Sequence, residues 1–365
     1  MKLTIFPEKL VTGLQRVIGV VERRMTLPIL ANVLCTIQGN NLLFTATDLE
    51  VEIEYFILLE NTYDMIQFTV PGYKFFDICK SLNSGPIELS YDNQKITLAT
   101  SSARYILATL PAADFPNIEE DKPILEFTLP QLQLKQLLER TQYAMADQDI
   151  RYYLNGMLWQ VANAKLHIVA MDGHRFAYTN CVLDKESPTH NILVPFKGIK
   201  ELSRLLAKTE APVVVKFCSN YLWVDLENTR FRCKLIDGNF PDYQRILHHV
   251  GQKQLSVEKQ PFKQALSRLA ILANTHINAV RVEINSHLMR LFAINQTHDE
   301  AWEELSVRYE GESVVLGFNI QYLLDALTVI ESDTVIMHFE NLDKGVLLEG
   351  SQNENASFVI MPLRL

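Results

Sequence analysis

This 365-residue sequence has few of the features that mark secreted, membrane-bound or metal-dependent proteins. Its cysteines are odd in number, widely spaced and free of any C-x-x-C pair; they are Cys35, Cys79, Cys181, Cys218 and Cys233. This usage is typical of reduced core thiols and not of a disulfide framework. No segment approaches the roughly 18 apolar residues of a membrane span, and residues 1–10 hold no apolar run of signal-peptide length. We predict a soluble, cytoplasmic protein.

Motifs for nucleotides and metals are also missing. Neither glycine-rich phosphate loop, G-x-x-x-x-G-K-[ST] or G-x-G-x-x-G, occurs in the sequence. There is no H-E-x-x-H motif and no paired Cys/His spacing of a metal site. We predict that the protein needs no cofactor and no metal.

What the sequence does contain is one plan repeated three times. Each copy opens with a short strand and an amphipathic helix, continues with a second helix, and closes on a strand. Equivalent positions in the first helices, Leu10, Leu134 and Phe262, lie about 125 residues apart, far beyond the roughly 20–50 residues of a solenoid unit. The period predicts three tandem globular domains, at 1–122, 123–251 and 252–365.

Local patterns indicate the fold class of each copy. In the first helix Leu10, Leu14 and Val17 fall on one face, and Pro7 suits the first turn. Residues 49–55 alternate between acidic and apolar side chains, as a strand with one acidic face does. Runs of strands interrupted by two helices predict α+β domains with antiparallel sheets. Similar domains in series can form an arc, and head-to-tail contacts between arcs can close a ring.

Two aspartates and a histidine are the candidate catalytic residues. Asp48 in TATDLE and Asp172 in VAMDGHR lie at related places in the first two copies. Carboxylates can carry acid–base chemistry, but recurrence at one point of a repeat favours a turn residue. His174 has no nucleophile near it in the sequence. We predict a protein without catalysis, and a hydrolase using Asp172 and His174 stays open as an alternative.

The charge balance is acidic, with 34 Lys and Arg against 43 Asp and Glu. Taken alone, the net charge of −9 argues against nucleic-acid binding. Charge acts locally, however, and the predicted helices of the first two copies are rich in Lys and Arg, including Arg16 and Arg204. Acidic residues gather elsewhere, as in Glu50, Glu52 and Glu54. Ordinary solvated helix faces would give the same pattern.

Several long stretches, in order along the whole chain, resemble one known family. They are TLPIL (26–30), TDLE (47–50), KFFDICKSL (74–82), TLPAADFPN (109–117), DQDIRYYLNGM (147–157), DGHR (172–175), DGNFPDY (237–243) and MPLRL (361–365). In these stretches the sequence is similar to the bacterial DNA sliding clamps, the beta subunits of DNA polymerase III.

The resemblance implies a ring-shaped, head-to-tail homodimer of three-domain subunits whose helices line a bore around double-stranded DNA. It implies tethering of the DNA polymerase III catalytic subunit, and of other DNA polymerases and repair proteins through short peptide motifs. Loading would need an ATP-dependent clamp loader, and the clamp itself would have no catalysis. The alternative is a three-domain protein-interaction scaffold that never encircles DNA.

By resemblance, five residues are expected to contact DNA; they are Arg24, Gln148, Tyr152, Tyr153 and Lys197. Contacts in a sliding protein should be sequence-independent and individually weak. The tyrosine pair could lean on sugars or exposed bases, although packing against a sheet or helix would also explain it. Tyr73 and Phe196 stand where the best-known family members carry arginine, so we expect weaker attraction of phosphate there.

The resemblance also implies a partner-peptide pocket between the second and third copies. It comprises Leu154, Gly173, His174, Arg175, Phe176, Pro241, Arg245, Ile246, Asn319, Tyr322, Val359, Ile360, Met361, Pro362, Leu363 and Arg364. The apolar chain end FVIMPLRL fits this expectation, because ends that do not pack are usually polar. Met171 and Phe176 replace a threonine and a leucine common in the family, which leaves the peptide preference open.

The dimer interface implied by the resemblance joins the first copy of one chain to the third copy of another. Its expected residues are Lys74, Ile78, Arg104, Tyr105 and Leu107, facing Ile271, Leu272, Glu300, Glu303 and Glu304. Basic and acidic residues around an apolar centre would make complementary surfaces.

Overall fold

A computed structural model of the chain describes residues 2–23, 27–82, 85–92, 94–118, 121–248, 251–273, 278–340, 344–352 and 355–364. The helices in these ranges are α1 (Pro7–Val17), α2 (Gly72–Ser81), α3 (Gln131–Thr141), α4 (Phe196–Leu205), α5 (Gln244–His248), α6 (Lys259–Leu272) and α7 (Ile320–Val329).

The strands of the same ranges fall into four sheets. They are β1 (Lys2–Ile5), β2 (Asn32–Thr47), β3 (Val51–Pro71), β4 (Ile87–Asp92), β5 (Lys95–Ala99), β6 (Arg104–Ala108), β7 (Leu125–Pro130), β8 (Gly156–Ala162), β9 (Lys165–Met171), β10 (Arg175–Val182), β11 (His190–Pro195), β12 (Pro212–Phe217), β13 (Tyr221–Leu226), β14 (Thr229–Lys234), β15 (Lys253–Glu258), β16 (Ala279–Asn285), β17 (Leu288–Ile294), β18 (Glu300–Ser306), β19 (Val314–Asn319), β20 (Thr334–Phe339), β21 (Val346–Gly350) and β22 (Ala356–Ile360).

The chain divides into two compact units. Unit 1 consists of Met1–Leu132 and Lys197–Leu235, and unit 2 of Gln133–Phe196 and Ile236–Leu365. Unit 1 holds the sheets β1-β4-β5-β6 and β2-β3-β14-β13-β12-β7. Unit 2 holds the sheets β11-β8-β9-β10-β22-β21-β20-β15 and β18-β17-β16-β19. Neighbouring strands in the described sheets run antiparallel, which confirms the predicted α+β class with antiparallel sheets.

The larger sheet of each unit joins two successive repeats. In unit 1, β3 of the first repeat pairs with β14 of the second, with Phe231 opposite Ile53. In unit 2, β10 of the second repeat pairs with β22 of the third, with Phe176 opposite Val359. Sequence periodicity predicts the repeats separately, whereas backbone hydrogen bonds across these two strand pairs tie consecutive repeats together.

The first helix follows its predicted pattern. Leu10, Leu14 and Val17 are fully buried on one face, and Pro7 opens the helix. Gly13 lies on the same buried face, where an added Cβ would be 2.6 Å from the ring of Phe44. Because a packed aromatic ring in a core cannot move aside cheaply, glycine is needed here for α1 to approach β2.

The acidic face predicted at residues 49–55 proves to be covered. Glu52 on β3 is buried, and its Oε1 accepts a hydrogen bond from Arg232 Nη1 at 2.6 Å. The guanidinium of Arg232 lies 4.9 Å from the ring centre of Trp223. Burial raises the pKa of Glu52, and Arg232 opposes that effect. The acidic face predicted for this strand is therefore covered at Glu52, because the partner strand β14 brings an arginine over it.

The predicted core thiols are confirmed, since all five cysteines are free and buried. Burial raises the pKa of the Cys79 thiol to about 12 and that of Cys181 to about 11. Such thiols carry almost no thiolate near neutral pH, so they are poor nucleophiles. Within the described part of the chain, no helix combines the length and apolar character that crossing a membrane requires.

Candidate functional site

An apolar cluster in unit 2 gathers several of the residues predicted for the partner pocket. Leu154, Phe176 and Val359 are buried in it, together with Met171, and Ile246 packs against its side. Strand pairing explains the arrangement, because Phe176 stands opposite Met171 on β9 and opposite Val359 on β22. Side chains opposite each other in antiparallel strands share one face of the sheet. Three neighbouring strands thus build a continuous apolar surface.

The chain end is held against this surface by backbone hydrogen bonds. Beyond β22, the N–H of Met361 donates to the carbonyl of His174 at 2.8 Å. Two residues later, the N–H of Leu363 donates to the carbonyl of Gly317 at 2.8 Å. Met361 is 39% exposed, while Pro362 and Leu363 are half-buried. The tail is therefore a packed segment with a methionine facing solvent beside the apolar cluster.

Asp172 shapes the turn between β9 and β10, whose flanking residues Met171 and Phe176 belong to the apolar cluster. Its Oδ1 accepts from the N–H groups of His174 at 2.8 Å and Arg175 at 2.9 Å. Asp48 makes the same turn in unit 1, with Oδ1 accepting from Glu50 N at 2.9 Å and Val51 N at 2.7 Å. The interpretation of both aspartates as turn residues is confirmed.

Gly173 occupies the left-handed region of this turn, with φ of +91°. A side chain there would be strained, so the turn requires glycine. His174 beside it is exposed and donates its backbone N–H to Asp172.

Arg175 ties the turn to α7. Its Nε donates to Asp172 Oδ2 at 3.0 Å and its Nη1 donates to Asp325 Oδ2. The guanidinium also lies 4.5 Å from the ring centre of Tyr322 and 5.3 Å from that of Tyr143. Burial raises the pKa of Tyr143, so this phenol stays neutral beside the arginine.

Asn319 fixes the start of α7 and so helps to place Tyr322. Its Oδ1 accepts from Gln321 N at 2.8 Å and Tyr322 N at 3.4 Å, which is the usual geometry of a helix N-cap. Pro241 and Arg245 lie before and within α5 and are exposed, and Arg364 is exposed near the chain end. Of the residues predicted for the pocket, Leu154, Phe176, Val359 and Ile246 share one apolar cluster in unit 2.

The loop before β8 carries three of the predicted DNA-contacting residues, and it is internally braced. Asp149 N donates to Asn155 Oδ1 at 2.9 Å, and Asn155 Nδ2 donates to Asp149 O at 2.9 Å. Arg151 Nε and Nη2 donate to the two carboxylate oxygens of Asp149 at 3.0 Å and 2.8 Å. The hydrogen bonds from the side chain and the backbone N–H of Arg151 hold the pKa of Asp149 down at about 2. Gln148 adopts a left-handed conformation with φ of +58° at the entry to the loop.

The two tyrosines of this loop have different surroundings. Tyr152 is 57% exposed, whereas Tyr153 is half-buried against the apolar cluster. Their rings meet edge to face with centres 6.0 Å apart. Tyr152 therefore exposes more of its ring than Tyr153, which packs against the apolar cluster.

Lys197, the fourth predicted DNA contact, begins α4 in unit 1. Its Nζ pairs with Asp48 Oδ2, whose side chain is only 1% exposed. Desolvation lowers the pKa of Lys197, but the carboxylates of Asp48, Glu22 and Glu50 together outweigh this effect, and the pKa is raised. The cation is thus held in place by the turn of the first repeat. Arg24, the fifth predicted contact, lies outside the described residues.

The two positions that depart from the family pattern are also accounted for. Tyr73 donates its hydroxyl to the carbonyl of Ile18 at 3.3 Å, and the guanidinium of Arg23 lies 4.2 Å from its ring centre. A positive charge is therefore present at Tyr73 although the residue itself is neutral. Phe196 is 39% exposed at the start of α4 and brings no cation.

The residues predicted for the dimer interface lie at open sheet edges and helix surfaces. β6 and β18 each form the edge of a four-stranded sheet, one in each unit. Lys74 and Arg104 are exposed, and Ile78, Tyr105, Leu107 and Leu272 are half-buried. Ile271 is 82% exposed at the end of α6.

Two of the acidic residues predicted for the interface, Glu303 and Glu304, already pair with arginines of their own chain. Glu303 already accepts hydrogen bonds from both Nε and Nη2 of Arg268, at 2.6 Å and 2.5 Å. Glu304 pairs with Arg290, and Glu300 is exposed. Arg268 reaches Glu303 because α6 packs on β18, so the acidic residues compensate charges in their own chain.

Comparison with known proteins decides between the alternatives. Residues 1–119, 128–242 and 244–364 match the N-terminal, central and C-terminal domains of the DNA polymerase III beta subunit. The beta sliding clamps of Pseudomonas aeruginosa and Escherichia coli are 41% and 39% identical, and each comparison covers 100% of both chains. The crystal structure of the Pseudomonas aeruginosa subunit superimposes with a TM-score of 0.96, at 40% identity over the whole of both chains. The chain belongs to the DNA polymerase III beta subunit family.

Members of this family are non-catalytic processivity factors of DNA replication, and this chain functions as a sliding clamp. The hydrolase alternative is therefore wrong. The contacts of the clamp agree with this conclusion, because the Asp172 carboxylate is committed to the turn and to Arg175.

Sequence reasoning missed Arg151, which joins the loop before β8 to the DGHR turn. Its Nη2 donates to the carbonyl of Asp172 at 3.3 Å, and its guanidinium packs over Gly173. The available signal was its place between Asp149 and the tyrosine pair. A surface arginine two residues from an aspartate is common, however, and only the folded chain places it against the DGHR turn.

Removing the Arg175 side chain is expected to destabilise the clamp. The side chains of Arg175, Asp172 and Asp325 are all mostly buried, so Arg175→Ala would leave two carboxylates without their cation. We expect the free energy of unfolding to fall by about 3–5 kcal/mol. Urea denaturation followed by tryptophan fluorescence, to which Trp159, buried on β8 in the same unit, contributes, measures the change.

Arg281→Ala is the matched control, because it removes an exposed arginine paired with Glu283 in the same unit. Its expected cost is below about 1 kcal/mol. Equal effects of the two substitutions would contradict a special role of the Arg175 network.

Proposed function

We propose that two copies of this clamp join head to tail and encircle double-stranded DNA. The observation that carries the proposal is the presence of an open edge strand in each unit, β6 in unit 1 and β18 in unit 2. Edge strands carry unpaired backbone N–H and C=O groups and can pair with another chain. Such a pairing between different surfaces of two copies is head to tail, and it closes when the rotation permits a ring.

Side chains around the two edges support this joint. Ile271 is an exposed apolar side chain beside β18, and Ile78, Tyr105 and Leu107 supply half-buried apolar surface around β6. Lys74 and Arg104 bring positive charge to the β6 side, and Glu300 brings negative charge to the β18 side. Since Glu303 and Glu304 already have partners, we expect apolar contact to contribute more to the joint than charge.

The DNA contacts are proposed to be few and weak. Gln148, Tyr152 and Tyr153 in the braced loop, together with Lys197 and Arg24, would touch sugars and phosphates without reading bases. Tyr152, which is 57% exposed, is the tyrosine better placed to stack on an exposed base at a single-stranded end. Weak contacts suit sliding, because retention would come from the closed ring and not from affinity.

The apolar surface in unit 2 is proposed to bind short peptides of partner proteins. Leu154, Phe176 and Val359 offer a buried floor, and Met361 offers an adaptable exposed side chain. Apolar anchors inserted there would carry most of the binding energy. The partners would be the DNA polymerase III catalytic subunit, the clamp loader that opens the ring using ATP, other DNA polymerases and repair proteins.

The cytoplasm, where bacterial replication takes place, is the proposed location of the clamp. The domain boundaries at 122/123 and 251/252 stay a prediction. The compact units follow the joined sheets and cross the central repeat.

Retention on circular DNA tests the encircling ring. The clamp, loaded by its clamp loader on a nicked plasmid, is expected to remain bound through gel filtration at high salt. Cutting the plasmid once with a restriction enzyme should release it, because a ring slides off a free end. A clamp that stays equally bound to linear DNA would contradict encirclement and favour a site-bound protein.

A further inference from the structure

Two helix C-termini from different repeats meet within unit 1. α1 of the first repeat ends at Val17, and α4 of the second repeat ends at Leu205. Both ends carry the partial negative charge of unpaired carbonyls, so bringing them together is unfavourable unless cations lie between them.

Each end is capped by an arginine of the other helix. Arg204 donates from Nη1 to the carbonyl of Gln15 at 3.0 Å and from Nη2 to the carbonyl of Arg16 at 2.6 Å. In return, Arg16 Nη1 donates to the carbonyl of Leu205 at 3.1 Å. We call these contacts of Arg16 and Arg204 the arginine cross-cap.

A buried carboxylate orients the cross-cap. Glu201, one turn before Arg204 on α4, accepts from Arg204 Nε at 2.9 Å, and its side chain is 11% exposed. The carboxylate lies over Gly19, where any added Cβ would overlap Glu201 Oε2 and approach Arg204 Nη2 to 2.9 Å. Gly19 has no positive φ, so this close approach is the reason that a side chain is disfavoured there.

We propose that the arginine cross-cap is a positioning device that fixes the first repeat against the second, and that the stability of the closed ring depends on it. This inference rests on the proposed dimeric ring. The paired strands β3 and β14 already join the two repeats, but a twisted sheet can flex. A second attachment, between helices, resists that flexing.

The physical link to ring closure is effective concentration. In a ring with two interfaces, an opened interface recloses fast only if its halves stay aligned, and alignment depends on the stiffness of each subunit. A looser junction between repeats would therefore raise the rate of opening. It would do so although Arg16 and Arg204 lie far in sequence from the predicted interface residues.

Arg16 and Arg204 belong to the basic helices whose local charge favours nucleic-acid binding, and the cross-cap gives these two residues a different role. A guanidinium with its N–H groups on helix carbonyls and a carboxylate has fewer donors left for a phosphate. An experiment without DNA distinguishes positioning of the repeats from attraction of DNA. Loss of a phosphate contact cannot change the stability of an empty ring, whereas loss of the cross-cap can.

Subunit exchange between differently labelled empty rings, followed by energy transfer, tests the proposal. Arg204→Ala is expected to speed exchange about three- to tenfold, as loss of partly exposed charged hydrogen bonds would. Gly19→Ala removes no charge but displaces Glu201, and it should also speed exchange. Lys200→Ala removes an exposed cation from the same helix and should leave exchange unchanged.

Two results would overturn the cross-cap. One is a rate of subunit exchange in both Arg204→Ala and Gly19→Ala that equals the rate of the unsubstituted protein, with folding verified by circular dichroism. The other is equal acceleration by Lys200→Ala, since lost charge alone would then suffice. Failure of the unsubstituted clamp to stay on circular DNA is a separate outcome that contradicts the proposed ring.

Discussion

Replacing Ile271 and Leu272 by alanine is expected to convert the dimer into folded monomers. Ile271 is 82% exposed in the single chain, so truncating it removes little from the chain's own core. Buried in an interface, each large-to-small change costs about 2–5 kcal/mol, which lowers the dimer association constant about thirtyfold or more. Sedimentation velocity at nanomolar to micromolar concentration measures the effect.

The same variant should lose retention on circular DNA entirely, because half a ring cannot encircle a duplex. Ile124→Ala with Val182→Ala is the matched control, since both side chains are exposed and lie outside the predicted interface. A double alanine variant at 271 and 272 that stays dimeric at nanomolar concentration would rule this interface out.

Deleting residues 361–365 is expected to abolish binding of partner peptides while leaving the dimer intact. The deletion removes Met361, Pro362 and Leu363 from the edge of the apolar surface, together with two backbone hydrogen bonds to His174 and Gly317. Loss of an apolar wall from a binding hot spot should weaken peptide affinity at least about a hundredfold. Fluorescence anisotropy with a short peptide bearing Gln and Leu or Phe measures it.

A second variant separates loss of the side chain from loss of the tail. Met361→Ala keeps the backbone bond to His174 and should weaken the peptide by a smaller factor. Dimer mass should be the same in both variants. Unaltered peptide affinity in the deletion variant would contradict the proposal that partner peptides bind the apolar surface in unit 2.

The sequence predicts turn and core features well where the cause is local. Asp48 and Asp172 were expected in turns, and each accepts hydrogen bonds from backbone N–H groups two and three residues later. Leu10, Leu14 and Val17 were expected on one buried helix face, and they are. Both results follow from short-range geometry, namely the reach of an aspartate to nearby N–H groups and the spacing of residues on one helix face.

Charged residues were predicted less well, and for a physical reason. Glu52 was expected on an acidic strand face, and no sequence pattern indicated that Arg232, distant along the chain, covers it. Glu303 was expected to face another chain, but Arg268 already binds it. A charge is satisfied by whatever opposite charge the fold brings near, and strand pairing decides which one that is.

By itself the sequence determined the threefold plan, the α+β class, the buried cysteines and, through resemblance, the family. Only the tertiary structure decided that Arg151 braces the DGHR turn, that Lys197 pairs with Asp48, and that Arg204 caps α1. Periodic patterns report which face of a helix or strand is buried, because residues on one face recur at a fixed local spacing. Partners of long polar side chains are set by contacts between distant parts of the chain, from 21 residues for Arg151 and Asp172 to 189 for Arg204 and Gln15, and no local pattern records them.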